Sequence, residues 1–221
     1  MLQDTKGVCV LAADIMRLTY KRGDSVKFVS HLDFVKVFER AIRRARIEVA
    51  FSCGFNPRMQ LVFGNPLPVG LTSDCELLDI TFARPYEPSE IIDLLNSTLP
   101  GEITVLSAKP LIKPYDSILC SVSFAEYTAR IGSISPEDED SLNSAFYSCK
   151  ELMTMKRSKS GEKLVDIKPM IKSFLVKDGA LYITVATGMG GNLRPELAFS
   201  AVCEKAGVSA DLISIHKNNM Y

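Results

Sequence analysis

The sequence predicts an α+β fold made of two tandem ferredoxin-like halves, each a βαββαβ chain with an antiparallel sheet. Three observations predict it. The 221 residues are 47% apolar and 24% charged, enough for one large core or two small ones. From Ile15 to Ala108 the apolar period switches between two and 3.6 in the order strand, helix, strand, strand, helix, strand. After Lys109–Ser117, which carries Pro110 and Pro114, the order recurs more loosely and without sequence self-similarity. The implied organisation is an extension over residues 1–14, a first half over 15–112 and a second over 118–221.

The elements follow in order. Ile15–Lys21 alternates as a strand, with Met16, Leu18 and Tyr20 on one side. Gly23-Asp24 turns. Ser30 caps a helix reaching Arg46, with Asp33 placed to answer the cap and Phe34, Phe38, Ala41, Ile42 and Ala45 as the apolar stripe. Glu48–Phe51 and Gln60–Phe63 read as strand pieces around the turn Cys53–Arg58, and Glu76–Phe82 as a strand. Pro88–Leu99 reads as a helix capped by Ser89 and stopped by Pro100-Gly101, before a strand over Ile103–Ala108. In the second half, strands over Ser121–Ile131 and Leu152–Lys156 enclose a helix opened by Ser135. Lys159–Glu162 reads as a polar turn, and Pro169 makes Asp166–Ile171 an edge or a turn. Lys177-Asp178-Gly179 joins two hairpin strands, Asn192–Ala206 is a helix stopped by Gly207, and Leu212–Ile215 closes as a strand.

Formal charge is zero, yet unevenly spread: Ile15–Gln60 carries ten Lys or Arg against four Asp or Glu. Local patches of this kind govern binding more than the total. The six cysteines form no CxxC pair, which excludes a CxxC metal or redox site and leaves six reduced thiols as the expectation. The apolar run Val8–Ala13 lacks the basic flank and length of a signal peptide, and no run approaches a membrane span. A cytoplasmic protein without membrane contact is expected.

The stretch Lys27–Gly70 departs most from plain core and surface. It contains SHLD (Ser30–Asp33), ERAIRRA (Glu39–Ala45), GFNPR (Gly54–Arg58) and PLPVG (Pro66–Gly70). With these motifs at this spacing, the chain resembles the bacterial radical SAM-linked family, whose members are encoded beside or fused to a radical SAM enzyme. The resemblance implies a radical SAM protein as partner. It supplies no catalytic residues to carry over, and the three-cysteine cluster motif of a radical SAM enzyme is missing here.

Candidate residues come from the same stretch. Lys36, Arg40, Arg43 and Arg44 share the flank opposite the apolar stripe, where they form either a solvated face or a phosphate-contacting one. Phe55, Asn56 and Arg58 in the GFNPR turn extend the RNA-binding set, Phe55 as a base-stacking ring or a buried plug. His31 in the first helical turn is the candidate general base, with Asp33 to orient it, or else a hydrogen-bonded structural residue. Asp74 and Glu76 would make a metal-capable set only if the fold brought them to His31. No cofactor and no metal are expected. His216 reads as a surface residue. Thr187–Asn192 is glycine-rich and precedes a helix, but matches neither GxGxxG nor a P-loop, so a structural turn is favoured over an anion site.

The expected function is an accessory module binding tRNA or rRNA for a radical SAM partner. Two alternatives stay open: a small RNA- or nucleotide-acting enzyme using His31 and Asp33, or a protein-interaction domain without nucleic acid.

Overall fold

The computed structural model describes residues 14–158 and 161–221. The expected extension over residues 1–14, except Asp14, lies outside the described residues, as does Cys9. The fold is mixed α+β, with four α-helices and mostly antiparallel strands among the described residues. It divides into two compact units. One takes residues up to Val69 together with Asp74–Ile118, and the other takes Gly70–Ser73 together with Leu119–Tyr221.

The first unit contains β1 (Ile15–Arg22), α1 (His31–Arg44), β2 (Leu61–Phe63), most of β3 (Thr72–Thr81), α2 (Pro88–Asn96) and β4 (Ile103–Pro110). Its strand order is β4-β1-β3-β2. β1 pairs antiparallel with β4 through a bulge at Thr19/Tyr20, and β2 pairs antiparallel with β3 through Leu61↔Ile80. The period-two pattern sends Met16, Leu18 and Tyr20 of β1, with Leu78 and Ile80 of β3, into one core with Phe34, Phe38, Ala41 and Ile42 of α1 and Ile91 and Leu95 of α2. The rings of Tyr20 and Phe38 meet edge to face at 5.0 Å, and Phe38 meets Phe63 at 5.6 Å. On the opposite face Arg17 grips Asp79 through two bonds of 2.8 and 2.9 Å and also donates to the Asp116 carbonyl.

The second unit contains β5 (Phe124–Ile131), α3 (Pro136–Ser148), β6 (Met153–Ser158), β7 (Gly161–Asp166), β8 (Ile171–Lys177), β9 (Ala180–Ala186), α4 (Pro195–Ala206) and β10 (Leu212–Met220). Its main sheet runs β10-β5-β9-β8, antiparallel throughout. Thr72 and Ser73, the first residues of β3, add to it parallel to His216 and Lys217. β6 and β7 form a separate two-stranded ribbon.

Several boundaries differ from expectation. The α2 N-cap is Glu87, with Pro88 at the first helical position, so Ser89 lies inside the helix. Proline needs no amide bond there and presets φ, which outweighs the serine. Glu48–Phe51 makes only isolated bridges, Val49↔Phe82 and Phe51↔Met59. Lys109 and Pro110 belong to β4, not to a linker. The single strand expected at Leu152–Lys156 is one arm of the β6–β7 ribbon. Its second arm, GEKLVD, carries too many charges to stand out by hydropathy. Residues 159 and 160 of the expected polar turn lie outside the described residues. α4 opens at Pro195 rather than Asn192, and β10 continues through Lys217-Asn218-Asn219 because pairing with β5, not side-chain character, sets its length. The Thr187–Asn192 loop is a packed turn: Gly188 has φ +76, and a Cβ there would collide with the Val122 carbonyl oxygen.

Candidate nucleic-acid interface

α1 begins where Ser30 holds an extended backbone and its Oγ accepts from the Asp33 amide at 3.2 Å. The same hydroxyl donates to one Asp33 carboxylate oxygen at 2.8 Å, and Lys36 donates to the other at 3.1 Å. The Ser30 bond, then Lys36, holds the Asp33 carboxyl below its ordinary range. Both oxygens are therefore bonded elsewhere, and Asp33 does not orient His31. Positions two apart on a helix differ by about 200°, so the two side chains leave α1 on opposite sides.

The expected basic flank is present as exposed side chains. Lys36, Arg40, Arg43 and Arg44 are all exposed and lie opposite Phe34, Phe38 and Ile42. Their charge is partly answered. Lys36 pairs with Asp33, and Arg43 lies 4.0 Å from Glu39. Arg44 is committed differently: it donates to the Thr98 carbonyl beyond the end of α2 at 2.6 Å. Arg40 has no bonded partner among the described residues, though its charge acts on Asp33. Four cations against two carboxylates leave a net positive face.

The GFNPR turn is the tip of a narrow loop closed by Ser52 and Arg58, whose backbones bond at 2.8 Å while Ser52 Oγ accepts from the Arg58 amide at 3.0 Å. Gly54 has φ +127, where a side chain would be strained. Phe55, Asn56 and Arg58 are exposed, Phe55 completely at 105%. The ring is thus presented to solvent and is not a buried plug. Among the described residues no hydrogen bond or ion pair ties this turn to the basic flank of α1.

His31 faces the other way. Its ring stands edge-on to Phe63 at 5.7 Å, over a polar cluster that the sequence did not single out as a whole. Tyr20, Arg22, Asn65 and Glu76 line the same depression. Arg22 is buried and donates to the carbonyls of Val26, Lys27 and Val29, while its guanidinium lies 4.8 Å from the Phe34 ring centre. Burial pushes the Tyr20 hydroxyl well above its ordinary range, with the Glu76 charge adding to it, and burial lowers Arg22. The space between these groups is about 10 Å³, close to what a single water needs. Asp74 is exposed, and no set of three His, Cys, Asp or Glu able to hold a metal occurs among the described residues. The signal for Arg22 and Glu76 was available: each continues by twos the core-facing series of its strand, Met16-Leu18-Tyr20 and Leu78-Ile80.

His216, read as a surface residue, is half-buried, with Nδ1 2.8 Å from Thr72 Oγ1. Of the cysteines described, Cys53 and Cys120 are exposed and Cys75, Cys149 and Cys203 are buried, all as free thiols. No helix of the described residues is long and apolar enough to cross a membrane.

A family model described as "Uncharacterized protein conserved in bacteria (DUF2344)" matches residues 16–195. Among curated proteins nothing matches. Among solved structures, the chain is similar at TM-score 0.49 and 12% identity to a chain of a Cbf5-Nop10-Gar1 complex, covering 94% of this chain and 48% of that one. A chain from an H/ACA RNP bound to a substrate RNA containing 2'-deoxyuridine gives 0.44 and 11%, over 94% and 47%. The chain therefore spans about half the length of these structural relatives. Likeness at this level bears on no activity.

Proposed function

We propose that this chain, which belongs to the bacterially conserved family DUF2344, is a cytoplasmic accessory module that binds RNA, tRNA or rRNA, and works beside a radical SAM enzyme. The observation that carries the RNA reading is the exposed cationic flank of α1: among the described residues Arg40 has no bonded partner, and Lys36 and Arg43 are held by ion pairs at the surface. Such pairs contribute little to stability, so a phosphate can replace the carboxylate at small cost. The exposed Phe55 ring and Arg58 on a rigid turn add a stacking group and a further cation. The radical SAM partnership rests on the SHLD, GFNPR and PLPVG motifs. We also read each unit as ferredoxin-like, on the strand orders β4-β1-β3-β2 and β10-β5-β9-β8.

We favour this reading over an enzyme using His31 and Asp33, because both Asp33 oxygens bond Ser30 and Lys36.

The test is a salt titration of RNA binding. Each phosphate contact to a single strand contributes roughly 0.7 to the slope of log K against log salt. Arg40→Ala with Arg43→Ala should flatten it by about 1.4. Arg44 is spared because it bonds Thr98. Parent-like affinity and slope in the double variant would end the reading for this surface. Affinity capture from a native bacterial host under mild lysis tests the partner, and recovery of no radical SAM protein would count against it.

A further inference from the structure

We infer that the open face of the second unit's sheet is a stacking platform for single-stranded RNA, with Tyr182 at its centre; this rests on the RNA-binding reading above and extends it to a separate site. In β5 and β9 the residues facing α3 and α4 are buried: Ala125, Ala129, Leu181, Ile183 and Val185. Alternation turns the residues between them to the opposite face, where Tyr182 is 48% exposed. It lies in register between Thr128 of β5 and Leu175 of β8. Beside it is a depression of about 190 Å³ whose polar lining includes Thr128, Ser173, Thr184 and Asn218.

This face is neither dry nor neutral. Ser173 donates to Thr184 at 2.7 Å and Thr128 to Asn218 at 2.9 Å. Exposed Lys177 and Arg130 flank Ala180 in the row next to Tyr182, about 7 Å along the strands. At the other end Lys172 Nζ lies 5.1 Å from the Phe124 ring centre and 4.7 Å from that of Tyr221. Against these three cations stands, among the described residues, one carboxylate on the face, Glu126, which itself lines the depression. A protein interface would want a larger apolar centre than Tyr182 and Leu175. An aromatic ring set among hydroxyls, with cations on both sides, suits a base stacked on the ring and a backbone whose phosphates meet the cations. The hydroxyl and amide groups in the depression can bond base edges or a ribose 2'-hydroxyl.

The experiment measures equilibrium binding of the full chain to a fluorescent oligouridylate of about ten nucleotides, with tRNA in parallel. Tyr182→Ala should weaken the oligonucleotide about ten- to hundredfold, while Tyr182→Phe, which keeps the ring, stays within about threefold of the parent. Lys172→Ala should flatten the salt slope by about 0.7. If Tyr182→Ala unfolds, Tyr182→Thr, suited to a strand, takes its place, and matching circular dichroism and urea midpoints certify the fold. The inference is overturned if the parent binds the oligonucleotide, Arg40→Ala with Arg43→Ala weakens it, and Tyr182→Ala does not. It is equally overturned if the Tyr182 variant keeps RNA affinity and instead loses a captured protein. A parent that binds neither probe removes the RNA reading itself, and this site with it.

Discussion

Arg22 shows how much one side chain organises. Its guanidinium serves three carbonyls, Val26, Lys27 and Val29, in the segment that leads into α1. Arg22→Met keeps the stem but leaves those acceptors unpaired. The expected cost is at least about 2 kcal/mol, read as a lower urea midpoint with an unchanged m-value. Cysteine reactivity should sort by environment in the same residue-level way. Burial raises the Cys203 thiol to about 11 and Cys53 is exposed on the turn, so at pH 8 an alkylating reagent should modify Cys53 while Cys203 stays intact in the folded chain. The neutral thiol is favoured in the fold, so Cys203 supports stability below its ordinary pKa and loses that support as pH rises toward 11. Alkylation of Cys203 as fast as that of Cys53 at pH 8 would contradict the packing described.

At the scale of the element, α1 serves two faces with one sequence. Its stripe packs against β1 and β3, and its cationic flank stays in water. Ser30 belongs to the first task, since it satisfies the Asp33 amide and positions the carboxylate that pairs with Lys36. Ser30→Ala should cost about 1 kcal/mol of stability and leave RNA affinity unchanged or slightly stronger, because Lys36 is then less held by Asp33. Arg44→Ala separates the tasks from the other end: it should lower stability through the lost Thr98 bond more than Arg40→Ala does. Thermal melts of the three variants beside their RNA titrations check both statements.

Over the whole molecule, the exposed run 112–117 lies between the last strand of one unit and buried Ile118. A protease of broad specificity should therefore cut first within 112–117 or in the β6–β7 ribbon, and leave the strands of each main sheet uncut. First cuts inside β1 or β9 would contradict the division into two units.

What the sequence by itself determined was local and periodic. The strand β1, the capped helix α1 with its cationic flank, the rigid GFNPR turn and the mixed α+β class all follow from spacing and from turn chemistry, because a period of two or 3.6 and a glycine or proline act within a few residues. The tertiary structure alone decided the partners. Arg44 reaches Thr98, the charged arm β7 pairs with β6, and β10 runs on to Met220 because β5 pairs with it. It also decided that Tyr182, one aromatic in an ordinary alternating strand, stands at the centre of an open sheet face. The Arg44 bond, the length of β10 and the setting of Tyr182 depend on residues distant in the chain, and no local pattern encodes the partner that wins.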